Sequence, residues 1–113
     1  MSARNPLLSA PPHAVERALV RLGADLRTAR TRRGLTVAAV AEKIGTGPRA
    51  ILDAEKGKPS SGIATFAALL WVYGLLDQLD DVADPGLDET GQILALSRGR
   101  KRAPRRKGLS DDF

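Results

Sequence analysis

The chain has 113 residues, with 18 Lys+Arg against 13 Asp+Glu, no Cys and one His. A length of this order supports one domain of about 70 to 100 residues and little more. The lack of Cys excludes a disulfide framework and a thiolate metal site, and favours a cytoplasmic chain over a secreted one.

The opening MSARNPLLSAPPH has no apolar run of signal-peptide type, and no segment approaches the roughly 18 to 20 apolar residues of a membrane span. The expectation is a soluble intracellular protein without membrane contact. The net charge of +5 is unevenly placed: seven of the 18 basic residues lie in RGRKRAPRRK, residues 98–107, whereas residues 14–83 hold ten basic and eight acidic side chains. An anionic partner is therefore expected from the tail. Aromatics make up 4% of the chain, too few to stack single-stranded nucleic acid, so Leu, Ala and Val must build the core.

Residues 1–13 read as a flexible arm, because Pro11-Pro12 favours an extended backbone. From about Ala14 to Arg33, Val15, Leu19, Leu22, Leu26 and Ala29 recur in steps of three and four and draw one helical stripe. Gly34 supplies its left-handed cap. Thr36 is an N-cap candidate for VAAVAEKI, in which Val40, Ala41 and Ile44 share a face. Gly45 ends that helix. Thr46 is the expected cap of the next one, with Pro48 in its first turn, and this third helix runs to Lys56 and stops at Gly57.

Ser60 or Ser61 is expected to cap GIATFAALLWVYG, whose stripe is Ile63, Phe66, Ala67, Leu70 and Tyr73. After Gly74, LLDQLDDVA reads as a short fifth helix, and Asp84-Pro85-Gly86 closes a domain spanning residues 14–83. The C-terminal extension, residues 84–113, contains Ile93, Leu94 and Leu96 in a cluster too short to separate strand from helix by periodicity. Its basic end is expected to be disordered in isolation.

Two short helices joined by a three-residue turn beginning with Gly make a helix-turn-helix over residues 37–56. Helices that cross steeply must approach closely, and Ala41 is small enough to allow it. Gly45 permits the positive φ of the turn. Ile51 and Ala54 anchor the second helix from beneath.

On these residues, with LGADLRTARTRRGLT, AEKIG and ILDAEKGKPS, the chain resembles the Xre/Cro-like phage-repressor helix-turn-helix family over residues 22–79. The resemblance implies an all-α, five-helix domain with residues 47–56 as its recognition helix. It implies a buried ion pair between Arg30 and Glu55. It places DNA-backbone contacts at Thr36, Val37, Lys56 and Lys58, and base contacts at Gly47, Pro48, Arg49 and Asp53. Val37 stands where many relatives carry Gln and offers only its N–H; Gly47 and Pro48 lack side-chain donors. Arg49 is the one strong reader, able to fork onto guanine O6 and N7. Asp53 can accept from cytosine N4, and Leu52 or Pro48 can touch a thymine methyl, so part of any specificity falls to DNA shape.

Residues 66–107 also look like the HipB-type antitoxins in their order of leucine-rich helix, Ala-Asp-Pro turn, Asp-Glu-x-Gly, aliphatics and basic end. That likeness implies a homodimer that binds double-stranded operator DNA, represses its own operon and is bound by a HipA-like Ser/Thr kinase toxin. The alternatives are a stand-alone phage or chromosomal repressor and a protein-binding adaptor with weak nucleic-acid affinity. Arg98, Arg100, Lys101, Arg102, Arg105, Arg106 and Lys107 are candidates for DNA or toxin contact, beside their reading as a solubilising tail.

His13 has no Cys, second His or carboxylate cluster beside it and reads as a solvated side chain. No Ser has an identifiable base and the glycines match no phosphate loop, so neither an enzyme, a metal nor a cofactor is expected. Asp77, Asp80, Asp81 and Asp84 read as a solvated face or a contact for a basic partner. Trp71 reads as a core or dimer-interface side chain.

Overall fold

Asn5 opens the first helical turn of the computed structural model, which describes residues 5–102. Its Oδ1 accepts from the Leu7 N–H at 3.0 Å, and Pro6 occupies the first helical position, where a missing N–H costs nothing. The arm therefore contains one turn, α1 (Pro6–Ser9), where the sequence predicts none. The long helix α2 (His13–Arg32) begins one residue earlier than expected and ends at Gly34 with φ +65°.

Thr36 caps α3 (Val37–Ile44), its Oγ1 accepting from the Ala39 N–H at 3.0 Å, and Gly45 ends it at φ +78°. The cap of α4 (Pro48–Glu55) is Gly47 and not Thr46. Proline at the first helical position pushes the residue before it into the extended region, which is the backbone an N-cap needs. A similar correction holds for α5 (Ile63–Val72): extended Gly62 caps it, with no side-chain bond from Ser60 or Ser61.

The expected fifth helix is a 3-10 segment, Leu76–Asp81. Asp80 and Asp81 at its end oppose the helix dipole, and six residues are too few to overcome the cost of nucleating an α-helix. A second 3-10 turn, Pro85–Leu87, precedes α6 (Glu89–Arg102). Asp88 Oδ1 accepts from the Gly91 N–H at 2.9 Å and satisfies a donor of the first turn of α6. Residues 90–96 are thus helical, and so are Arg98, Arg100, Lys101 and Arg102, which were expected to be disordered. Arg105, Arg106 and Lys107 lie outside the described residues. Among the described residues there is no strand.

The chain divides after Leu79 into two units. The core of the first is Leu26 and Ala29 from α2, Val40 and Ala41 from α3, Ile51 and Ala54 from α4, and Phe66, Leu69, Leu70 and Tyr73 from α5 and its cap. Ile51 and Leu69 are fully buried, each contributing about 2 kcal/mol by removal from water. Of the expected α5 stripe, Phe66, Leu70 and Tyr73 are buried as predicted and Ala67 is half-buried. Ile63 is 74% exposed, and Leu69, outside the predicted stripe, is fully buried. Val15 is exposed as well, because α2 has 20 residues against 8 in α3 and in α4 and its first turns run past them.

In the second unit Asp84 Oδ1 accepts from the Gly86 N–H at 2.9 Å, and Gln92 Nε2 donates to the Pro85 carbonyl at 3.0 Å. None of residues 80–100 is buried.

Candidate nucleic-acid interface

The alternation of small, apolar and polar residues along α3 and α4 splits each helix into an inner and an outer side. Ala41 is 1% exposed and sits with Val40 against the rest of the core. Inside α4, Ile51 and Ala54 point inward at three-residue spacing, which leaves Arg49, Leu52 and Lys56, in steps of three and four, along the open side. All three are exposed. Among the described residues the Arg49 side chain makes no hydrogen bond and no ion pair.

The position of α4 is fixed at its C-terminal end. Arg30 Nε donates to Glu55 Oε2 at 2.7 Å and Nη2 donates to Oε1 at 3.0 Å, a parallel fork of charge-assisted bonds. The side chains are 12% and 6% exposed. Arg30 Nη1 donates to the Leu35 carbonyl at 3.0 Å, so one guanidinium ties α2, the link into α3 and the end of α4 together. Its hydrogen bond to Glu55 pushes the Arg30 pKa up from an already high value, against the opposing effect of burial. Sequence reasoning reached the Arg30–Glu55 pair by resemblance and missed Leu35, because a backbone acceptor carries no residue-type signal.

Two glycines make this clamp close. A Cβ on Gly23 would lie 2.6 Å from the carbonyl oxygens of Ala54 and Glu55, and a Cβ on Gly57 would lie 2.5 Å from the Leu19 carbonyl oxygen. Gly57 also has φ +73°. Gly23 went unnoticed in the sequence, although an isolated Gly within a helical stripe signals a close approach. Nearby, the Arg33 guanidinium lies 5.7 Å from the centre of the Tyr73 ring and donates to the Ala29 carbonyl at 2.8 Å.

The remaining candidate positions separate into groups. Gly47 and Pro48 are exposed at the start of α4, and Gly47 has open space around it. The Thr36 hydroxyl is engaged as the α3 cap, and the Val37 side chain packs against the core. Asp53 and Lys58, read from the sequence as separate contacts, lie together: Oδ1 is 3.3 Å from Nζ, within ion-pair distance but without hydrogen-bond angles. Arg98 and Arg100 are exposed on α6. No group of three or more His, Cys, Asp or Glu positioned to hold a metal occurs among the described residues.

The family model described as a helix-turn-helix domain matches residues 21–82, more than half of the chain. The protein belongs to the helix-turn-helix domain family. No curated protein and no solved structure was found to match it. Within this helix-turn-helix protein the match takes in α3, the turn, α4 and the Arg30–Glu55 clamp, and it points to a DNA-binding regulator. Among the described residues no helix is long and apolar enough to cross a membrane.

Proposed function

We propose that the protein is a sequence-specific repressor that binds double-stranded operator DNA as a homodimer. Each α4 enters a major groove, with half-sites one helical turn, about 34 Å, apart. The observation that carries the reading is the exposed Arg49, without a partner among the described residues, on the outer side of a helix whose other end is clamped. A reader needs its helix held and its own donors unspent, and Arg49 meets both conditions. Leu52 supplies an apolar contact, Lys56 a phosphate contact, and Lys58 a phosphate contact moderated by Asp53. Thr36 and Val37 bring the N-terminus of α3 to the backbone through main-chain N–H groups.

The finer reading is a HipB-type antitoxin that represses its own operon and is bound by a HipA-like Ser/Thr kinase toxin. The order of elements through residues 66–107 supports it. Co-purification with the product of an adjacent kinase-like reading frame tests this half separately, and a chain that never retains such a kinase is a stand-alone repressor.

Gel shift at constant salt, with DNA from immediately upstream of its own reading frame against scrambled DNA of equal length, tests the first half. Selective retention is expected. Arg49→Ala should reduce discrimination among operator variants by about 1 to 3 kcal/mol while sparing non-specific binding. Equal losses on both DNAs would remove Arg49 as a reader, and no retention of any duplex would leave the adaptor reading, which the core-packed, half-buried Val37 and the donor-free Gly47 and Pro48 favour. Replacing Arg105, Arg106 and Lys107 with Gln should flatten the slope of log K against log salt by about 3 if these residues lie on phosphates. An unchanged slope assigns them to a protein partner or to solvent.

A further inference from the structure

Helix α6 presents four exposed side chains in steps of four, three and four: Glu89, Ile93, Leu96 and Arg100. That spacing keeps them on one seam of a helix. Ile93 and Leu96 are each 65% exposed, and the neighbouring Leu94 is 54% exposed. Nothing within residues 80–100 is buried, so the described part of this unit supplies no core of its own for the aliphatic seam.

The order acid, aliphatic, aliphatic, base has a symmetry that two of its copies can use. Reversed, it reads base, aliphatic, aliphatic, acid, with the centre between Leu94 and Ala95. We propose that α6 is a self-pairing helix, which joins two copies of this chain antiparallel about a two-fold axis at that centre. Ile93 then faces the partner's Leu96, and Glu89 faces the partner's Arg100, each contact occurring twice as an isologous interface requires. A parallel pairing would set Glu89 against the partner's Glu89 and Arg100 against the partner's Arg100, so charge alone selects the antiparallel register.

A second observation concerns Gly91 and Gly99. Two glycines in a helix of 14 residues lower its intrinsic stability, and a helix of this length is marginal by itself. Among the described residues Gly99 has nothing within 4 Å of where its Cβ would stand, so no contact among them accounts for it. It flanks the seam beside Leu96 and Arg100, where a missing side chain lets a second backbone approach. The helix is about 21 Å long, and the paired surface is smaller than that of a standard stable interface, so the association is weak for the free protein and is strengthened when DNA brings two chains together.

This inference deepens the dimeric reading above and rests on it, and one set of measurements separates the two. Sedimentation of the full chain across a wide concentration range should show a monomer–dimer equilibrium, and Ile93→Asp should weaken it at least about tenfold by placing a charge in the seam. The cooperative unfolding of the first unit should be little changed, since Ile93 lies outside the core. Glu89→Arg and Arg100→Glu should each weaken self-association, and the two variants mixed should form a heterodimer tighter than either homodimer, because the mixture restores both opposite-charge contacts. The chain has no cysteine, so Glu89→Cys mixed with Arg100→Cys should give an intermolecular disulfide that neither variant forms alone. A wild type that stays monomeric at every concentration, with and without DNA, overturns the dimer and this surface together. A dimer indifferent to Ile93→Asp, or a cysteine mixture that forms no disulfide, overturns the α6 pairing alone.

Discussion

The two ends of α4 differ more than their sequences suggest. Among the described residues, Gly47 at its start has open space around it and Arg49 stands unpaired; ten residues further on, Gly57 is pressed against the α2 backbone beside a bidentate ion pair. The same residue type is thus replaceable at one end and required at the other. This asymmetry suits the recognition role proposed for α4: rigidity is concentrated where the helix meets its own protein, and freedom at the end offered to a ligand.

The sharpest way to break the comparison is to add one carbon at each end. Gly57→Ala meets the Leu19 carbonyl and must hold a left-handed φ, and should cost about 3 to 5 kcal/mol in urea unfolding. Gly47→Ala should cost no more than about 1 kcal/mol, the difference between Gly and Ala at an N-cap. Similar losses at both would show that the close approach is not tight.

Next in size is the clamp itself. Arg30→Ala leaves Glu55 unpaired and the Leu35 carbonyl without its donor, at a cost of about 3 kcal/mol. Arg30→Lys should recover only part of that, because an ammonium cannot make the fork and reach Leu35 together. Urea unfolding of both variants checks the order. A full recovery by Lys would mean that charge, and not geometry, holds α4.

The smallest effect is expected at Tyr73, whose ring is buried while its hydroxyl has no hydrogen-bond partner among the described residues. Tyr73→Phe should change stability by less than about 1 kcal/mol, in the stabilising direction. Burial, reinforced by the Glu55 charge, pushes the Tyr73 phenol above its ordinary value of 10.0. A phenol whose folded pKa is raised contributes stability that is complete below pH 10 and lost as pH rises through the folded value. Thermal unfolding above pH 10 should therefore separate the wild type from Tyr73→Phe, which lacks that loss.

The interior of the helix-turn-helix was legible because its signals are local. Thr36 as a cap, Gly45 at positive φ and Ala41 at the crossing each follow from one residue and its neighbours. The caps of α4 and α5 were misplaced for a related reason: Thr46, Ser60 and Ser61 are good capping residues, but the N-cap falls on whichever residue turns extended just before the helix, and that was Gly47 and Gly62. Pro48 carried that information. Phe66, Leu70 and Tyr73 follow from the α5 spacing, but that Leu69 is buried and Ile63 exposed was not readable, since IATFAALLWV is apolar on nearly every side and its periodicity is weak.

Residue order alone determined where α2 to α5 lie, which residues permit the tight turn, and that Arg49 is the strong donor on the second of two short helices, because those properties depend on side-chain size and backbone freedom within a few positions. Only the tertiary structure decided that Gly23 and Gly57 are pressed against backbone carbonyls, that Arg30 also holds Leu35, that Asp53 lies beside Lys58 and that Ile63 faces solvent. Each of these depends on distances between residues far apart in the chain, and packing sets those distances only when all the helices are in place.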